Sequence, residues 1–123
     1  MLSDAPYVSL RTYRRSGVAV DTPVWIGGTG STLYVFSAAD AGKVKRIRNN
    51  PAVQMATCDV RGKLRGEWSN GSATLMTDDA EVTQALAALR QKYGWQMWLA
   101  DTGAKLTGRF SKRAYIRIDM DGG

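Results

Sequence analysis

Short apolar segments separated by turn residues constrain the fold of this chain most strongly. They are rich in valine, isoleucine and aromatic residues, and glycine, proline or asparagine stands near their ends, a pattern typical of β-strands. Pro23, inside the first segment, predicts a bulge or an edge position there. The predicted strands are Val18–Ile26, Leu33–Phe36, Val53–Val60, Leu64–Met76 (a strand or a hairpin), Arg109–Phe110 and Ala114–Met120, with a hairpin loop over residues 27–31.

Two helices are predicted between these strands. The first has Asp40 as its N-cap and ends at Asn49-Asn50-Pro51, because asparagine tolerates a left-handed cap and the residue before proline avoids helical geometry. The second covers Asp78–Tyr93, where Asp78 and Glu81 form a capping-box pattern and Gly94 marks the end. Strands with two helices predict an α+β fold with a mostly antiparallel sheet or barrel.

The composition limits the chemistry that this chain can perform. Its 123 residues, 44% of them hydrophobic, suit one domain over residues 1–123. Histidine is absent, which excludes Ser-His-Asp and Cys-His catalysis and histidine-ligated zinc, so difficult chemistry would have to come from a cofactor. The single cysteine, Cys58, lies in a strand-like apolar run and is predicted to be a buried, unreactive thiol.

The net charge of +6 predicts an anionic partner, which would be a nucleic acid, an anionic membrane surface or a polyanionic small molecule. No apolar run approaches the length of a membrane span, and the N-terminus lacks the pattern of a signal peptide. We therefore expect a cytoplasmic protein that does not bind membranes. The cations cluster at one helix start and one turn instead of forming a long stripe, which disfavours nucleic acid.

The first predicted helix has the features of an anion site. Its segment, AGKVKRIRNNP, carries four cationic residues. Gly42 would let a bound group approach the backbone, where free N–H groups and the helix dipole favour a phosphate or a carboxylate. Lys43 and Arg46 fall on one flank of an apolar stripe formed by Val44 and Ile47, and the other two cations fall on the opposite flank. The alternative is a surface helix whose charges are only solvated.

The order of several motifs resembles that of the split β-barrel flavin and deazaflavin proteins of the pyridoxamine-phosphate-oxidase-like superfamily. Within it, the sequence is most similar to the actinobacterial branch that uses the deazaflavin coenzyme F-420. The resemblance implies an α+β, FMN-binding-type split β-barrel, mostly antiparallel, with two principal helices. The motifs are a two-strand opening that ends in SGVAVDTPVW, a strand LYVFS, the basic segment AGKVKRIRNNP, and RGK before EWSNGSATL.

The same resemblance implies where the coenzyme would bind. In such proteins a strand lies along the ring system, mainly through backbone groups, and the helix start holds the anionic tail with help from the RGK turn. The residues assigned to the coenzyme in this way are Thr22, Pro23, Val24, Trp25 and Phe36 for the ring region, and Ser37, Lys43, Arg46 and Lys63 for the anionic tail. No side chain is assigned a catalytic role, and no metal site is expected.

These assignments predict an F-420-dependent oxidoreductase that transfers hydride to an electron-poor small molecule. Arg14 and Arg15 would extend the cationic groove, which suits the phosphodiester and oligoglutamate tail of F-420 better than the single phosphate of FMN. An FMN-binding oxidoreductase and a non-catalytic flavin- or tetrapyrrole-binding protein are the alternatives. The resemblance also implies a homodimer with the coenzyme between subunits, in which Trp68, or Trp95 with Trp98, would close the site from the second chain.

Overall fold

The computed structural model describes residues 2–121, which form seven β-strands and three α-helices. The strands make one sheet in the order β2-β1-β5-β6-β7-β4-β3, and every neighbouring pair is antiparallel. This confirms the predicted α+β split-barrel class. The elements are β1 (Tyr7–Tyr13), β2 (Ala19–Val24), β3 (Gly27–Thr29), β4 (Thr32–Ala38), α1 (Gly42–Asn49), β5 (Ala52–Cys58), β6 (Ser69–Leu75), α2 (Asp79–Tyr93), α3 (Trp95–Leu106) and β7 (Arg113–Met120).

The two faces of the sheet pack against different helices. Alternate residues of the strands, among them Leu10, Val35 and Ile116, form the main core together with Val44 and Ile47 of α1. On the other face, α2 and α3 contribute a second cluster of Leu89, Tyr93 and Met97, against which Trp25 and Phe36 pack. The period of two along each strand therefore divides the side chains between a barrel core and a helix-covered outer face.

Several expected elements are present at the predicted places. Pro23 lies on β2, which is an edge strand of the sheet, as proline requires. At the start of α2, a carboxylate oxygen of Asp78 accepts a hydrogen bond from the backbone N–H of Glu81 at 3.3 Å. The predicted apolar stripe of α1 is also confirmed, since Val44 and Ile47 are its buried residues.

A third helix, α3, is present that the sequence patterns do not predict. Gly94 is predicted as a stop, whereas it ends α2 and also begins α3, with a φ of +54° that only glycine adopts easily. The exposed Trp95, Trp98 and Leu99 belong to α3 and share one side of it by their spacing. An apolar stripe at helical spacing usually marks the buried side of a helix. In α3 the stripe of Trp95, Trp98 and Leu99 is exposed instead, so this pattern does not identify the helix.

Three local predictions were wrong. The N-cap of α1 is Ala41, without a side-chain bond, and not Asp40. The Asn50 cap has extended geometry (φ −146°, ψ 109°), as expected before proline, and not the left-handed geometry that asparagine tolerates. Phe110 begins a short 3-10 turn over residues 110–112 instead of a strand. The residue patterns also predict no individual strand before Val18, whereas β1 lies there and pairs with β2 and β5.

Within residues 2–121, no helix combines the length and the apolar character that crossing a membrane requires.

Candidate functional site

The start of α1 presents unpaired hydrogen-bond donors. Among residues 2–121, no acceptor is bonded to the backbone N–H groups of Gly42 and Lys43. The guanidinium of Arg46 folds back over this turn. A Cβ atom built on Gly42 would lie only 2.7 Å from the Nη1 atom of Arg46. The free N–H groups and a cation therefore lie on the same turn. The guanidinium is the end of a flexible side chain, so it could move aside for a larger residue at position 42.

A threonine from another strand holds this guanidinium in place. The Nε atom of Arg46 donates to Oγ1 of Thr12 at 2.6 Å, and Thr12 on β1 is only 1% exposed. Thr12 is not among the predicted site residues, because the residue patterns predict no individual strand before Val18. The alternation in YVSLRTY, which puts Val8, Leu10 and Thr12 on one face, is the signal that could have identified it.

Two like charges meet at this turn without a counter-charge. The pKa of Lys43 is lowered, first by burial and then by the neighbouring charge of Arg46. No carboxylate in the described part of the chain forms an ion pair with either residue. The two positive charges repel each other, and neither has a carboxylate as counter-charge. A bound anion would therefore relieve an unfavourable interaction that the free protein contains.

Ser37 lies on β4 just before this turn, but its hydroxyl is used locally. The side chain is 7% exposed, and Oγ donates to the carbonyl oxygen of Ala38 at 3.2 Å. It shares the inner face of β4 with Val35 and so points towards the core that α1 covers. A ligand phosphate could accept the hydroxyl proton only if this local bond were exchanged.

The edge strand β2 leads away from the anion site. Val20 pairs with Thr12, Thr22 pairs with Leu10, and Pro23 pairs with Ser9. The separation along the strand from the position of Thr12 to that of Pro23 is therefore roughly 10 Å, at about 3.3 Å per residue. Val24 continues into the main core.

Lys63 lies near Pro23 and not near the start of α1. A Cβ atom on its neighbour Gly62 would be 3.9 Å from the ring carbons of Pro23. The turn is held by Asp59, whose carboxylate accepts from the backbone N–H of Lys63 at 2.9 Å. The Lys63 side chain itself is exposed. The three predicted cations therefore do not form one cluster: Lys43 and Arg46 meet, and Lys63 stands at the far end of β2.

Trp25 and Phe36 lie in an aromatic cluster on the outer face. The Trp25 ring stacks on Tyr93 with centroids 4.8 Å apart and meets Phe36 edge-on at 6.2 Å. The Tyr93 hydroxyl donates to the carbonyl of Pro6 and accepts from the backbone N–H of Ile26, both at 2.9 Å. Burial, as the main cause, raises the pKa of Tyr93 to about 12, so the hydroxyl remains protonated at neutral pH.

A pocket of about 240 Å³ opens beside this cluster, and Trp25, Tyr93 and Gln96 are part of its wall. The ammonium of Lys92, also in the wall, donates to the carbonyls of Ala5 and Ile26 at 2.7 and 2.8 Å. Its pKa is lowered by burial. Since Lys92 and Tyr93 are already bonded to backbone atoms, the cluster attaches the N-terminal segment to α2 and supplies one apolar wall next to β2.

Other candidate groups are engaged within the chain. The guanidinium of Arg11 lies 3.9 Å from the ring centroid of Trp68 and pairs with Asp21 at 2.8 Å, so Trp68 has a partner within its own subunit. Cys58 is buried, and burial followed by the charge of Asp59 raises its pKa, which leaves the thiol protonated and unreactive. No group of three metal-binding side chains occurs in the described ranges.

The sequence matches the family model of pyridoxamine 5′-phosphate oxidase over residues 1–122. The chain belongs to this family. No curated protein of known function matches the sequence. The family assignment agrees with the antiparallel sheet and with the motif order given above.

Solved structures of this fold include proteins with different described ligands. The structure is similar to the heme storage protein HutZ from Vibrio cholerae (TM-score 0.70, 13% identity, 98% of this chain and 84% of that one). It is also similar to a FAD-binding protein from Mesorhizobium loti (0.63, 16%, 98% and 82%) and to a protein described as F420 reductase (0.62, 18%, 98% and 91%). At these identities the likeness establishes the fold, and the coenzyme has to be argued from the site.

Proposed function

We propose that this family member is an F-420-dependent oxidoreductase that reduces an electron-poor small molecule. The observation that carries the proposal is the pair of uncompensated cations, Lys43 and Arg46, beside the free N–H groups at the start of α1. This arrangement fits the coenzyme phosphate, because it offers charge and directed donors to one anion. When bound, the deazaflavin would supply hydride transfer, which the side chains of this histidine-free chain cannot.

The protein's own part in the reaction would be to bind and orient. Arg46, held by Thr12, and Lys43 would fix the phosphate. The backbone of Thr22 and Pro23, roughly 10 Å along the edge strand, would then meet the ring system. An edge strand suits this role because its outer backbone groups have no neighbouring strand to pair with. Holding one face of the ring against β2 would exclude water from that face. The acceptor would then bind close to the other face, where it can receive the hydride.

The FMN-binding alternative uses the same phosphate site. The start of α1 does not distinguish the two coenzymes, since both carry a phosphate. A non-catalytic binder of flavin or tetrapyrrole is the other alternative, and similarity to a heme storage protein keeps it open. Our preference for F-420 rests on the net charge of +6, which suits a ligand that carries several anionic groups.

Titration of the protein separately with F-420, FMN and heme, followed by fluorescence and absorbance, tests the proposal. We expect F-420 to bind more tightly than FMN, and the bound reduced form to be reoxidised by at least one electron-poor acceptor from a panel. Tighter binding of FMN would assign the protein to the flavin users. F-420 that binds but is never reoxidised would make the protein a carrier, and tight heme binding alone would contradict the oxidoreductase assignment.

We also propose that the protein acts as a homodimer through the exposed side of α3. Trp95, Trp98, Leu99 and Leu106 are between 52% and 83% exposed, and their spacing places them on one side of the helix. A contiguous apolar surface of this kind is typical of a protein–protein contact. Contact with a second copy would bury these side chains, and Trp95 and Trp98 of each subunit would then lie against the other subunit.

Replacing Trp98 with glutamate should convert the protein to a monomer, because the introduced charge would be buried at the contact. Sedimentation equilibrium measures the change. Replacing the isolated, exposed Val60 with glutamate is the matched control and should leave the dimer intact. A wild-type protein that is monomeric at high micromolar concentration, or a Trp98→Glu variant that is still dimeric, would rule out this surface.

A further inference from the structure

A cleft of about 590 Å³ lies beside the candidate anion site. One wall is the connection from β4 to α1, formed by Ala38, Ala39 and Asp40, and the other wall carries Arg109 and Lys112 from the segment between α3 and β7. The walls are joined where the backbone N–H of Ala39 donates to the carbonyl of Lys112 at 2.8 Å. The volume is within the range of about 300–1,000 Å³ that small-molecule sites occupy.

The cleft is continuous with the α1 site along the chain. It begins at the residue after Ser37 and ends at Asp40, directly before the turn where Lys43 and Arg46 meet. Asp40 in the cleft wall stands two residues before Gly42, so at most about 7 Å of backbone separates the cleft from the turn where a phosphate would be held. The cleft is larger than one phosphate group needs, so a ligand that extends into it would carry further groups.

The cations of the cleft have no partner inside the described protein. Arg109 and Lys112 are exposed, and neither makes an ion pair or a side-chain hydrogen bond within residues 2–121. Their neighbour Arg113 shows the opposite behaviour, since its buried guanidinium pairs with Asp101 at 2.7 Å. The segment thus contains one arginine that is paired inside the protein, Arg113, and two cations, Arg109 and Lys112, that remain available to an external anion.

Asp40 is the only acid in the wall of the cleft. It neither caps α1 nor forms an ion pair in the described structure. Its carboxylate opposes the binding of an anion, and it leaves a net charge of +1 from two cations and one acid. Removing the charge of Asp40 should therefore strengthen the binding of an anion, whereas removing the charges of Arg109 and Lys112 should weaken it.

The opposite end of α1 offers an internal comparison. Arg14 and Arg15 line a pocket of about 370 Å³ with Asn49 and Asn50, where Arg15 donates to Asn49 at 3.3 Å. That pocket lies a helix length from Lys43, roughly 10 Å at 1.5 Å per residue. The sequence predicts these two arginines in the cationic groove, whereas Arg109 and Lys112 share their cleft with Asp40, two residues before the start of the helix.

We propose that this cleft binds the oligocarboxylate chain of the coenzyme, with Arg109 and Lys112 pairing with its carboxylates. The inference rests on the proposed function, because it requires the phosphate of F-420 at the start of α1. The two residues make contacts that FMN cannot use, so the cleft is the part of the site that selects F-420. Charge-assisted hydrogen bonds to carboxylates supply the affinity, and the contribution falls with added salt.

The experiment compares three probes: F-420 with its glutamate chain, the same deazaflavin phosphodiester without glutamates, and FMN. The Arg109→Gln/Lys112→Gln variant should bind tailed F-420 roughly 10- to 100-fold more weakly and the two tail-free probes within about 2-fold of wild type. The Asp40→Asn variant should bind the tailed form more tightly, with a larger gain than either tail-free probe shows. The Arg14→Gln/Arg15→Gln variant removes the same charge elsewhere and should change tailed binding by less than about 3-fold.

The outcomes separate the two proposals. Equal loss for tailed and tail-free probes in the Arg109/Lys112 variant would overturn the cleft assignment, as would an equal loss in the Arg14/Arg15 variant. Wild-type binding that does not depend on the tail would also overturn it and would leave the proposed function intact. Failure of the wild type to bind any of the three probes would overturn both. Circular dichroism of each variant verifies that the fold is unchanged.

Discussion

Replacing Asp101 with asparagine is expected to lower the free energy of unfolding by about 3–5 kcal/mol. Asp101 is 6% exposed and accepts from Nη1 of Arg113 at 2.7 Å and from Nε of Arg90 at 2.9 Å. The Arg113 guanidinium lies over the rings of Phe36 and Phe110 and is itself buried. Without the carboxylate, a buried cation would be left without a counter-charge, which costs far more than an exposed pair contributes.

Urea or guanidinium unfolding measures this loss, and an exposed acid provides the control. Asp119 pairs with Arg117 at 3.1 Å, but its side chain is 51% exposed. Its replacement by asparagine should cost no more than about 1 kcal/mol, since surface pairs contribute little. A cost for Asp101→Asn as small as that of the control would show that the Arg113 site is solvated, and would contradict the structure of this region.

The same residue predicts how stability depends on pH. Burial raises the pKa of Asp101, but the ion pairs with Arg113 and Arg90 outweigh burial and hold the pKa below its ordinary value of 3.8. A carboxyl group with a lowered folded-state pKa contributes stability above its unfolded pKa and loses that contribution as the pH falls through the folded value. Wild type should therefore lose stability more steeply than Asp101→Asn below about pH 4, and parallel acid profiles would contradict this.

Replacing Lys43 with alanine is expected to weaken F-420 binding by about 1.5–3 kcal/mol, roughly 10- to 150-fold, the range for one charge-assisted contact. FMN should lose a similar factor if its phosphate uses the same site. Lys45, which is exposed on the same helix, is the matched control, and Lys45→Ala should leave affinity within about 2-fold of wild type. Equal affinities for wild type and Lys43→Ala would exclude Lys43 from the site.

The free protein offers a second readout for Lys43. Burial and the charge of Arg46 both lower the pKa of its ammonium, so the charged form is held in an unfavourable environment. Removing it should leave the stability of the free protein unchanged or slightly raised, while coenzyme binding is weakened as stated above. Such opposite effects are the signature of a binding residue, because a residue needed for the fold would lower both.

The local parts of the candidate site were predictable because their signals are local. The apolar stripe of α1, the Asp78 cap of α2 and the edge position of Pro23 follow from helical spacing, capping chemistry and the missing N–H of proline. The strand boundaries were less accurate: the predicted Val18–Ile26 is Ala19–Val24, and only Ser69–Leu75, in the C-terminal half of Leu64–Met76, is a strand. Hydrogen bonding to neighbouring strands sets those ends, and a single segment contains no record of its neighbours.

The residues that complete the site could not be predicted in this way. Arg46 depends on Thr12, which the sheet order places beneath α1, and the cleft depends on the contact between Ala39 and Lys112. The position of Arg113 opposite Ala38 is set by the pairing of β4 with β7. Each of these relations joins residues far apart in the chain.

The amino-acid sequence by itself determined the fold class, the basic helix, the family resemblance and the absence of histidine chemistry. Those properties are encoded in periodicity, caps and motif order, which involve residues close together in the chain, and in composition, which does not depend on the fold. Only the tertiary structure decided that Lys43 and Arg46 meet without a counter-charge, that Lys63 stands apart from them, and that Arg109 and Lys112 share a cleft with the residues that precede α1. The physical reason is that charge interactions depend on distance and burial, and both are set by strand order and register.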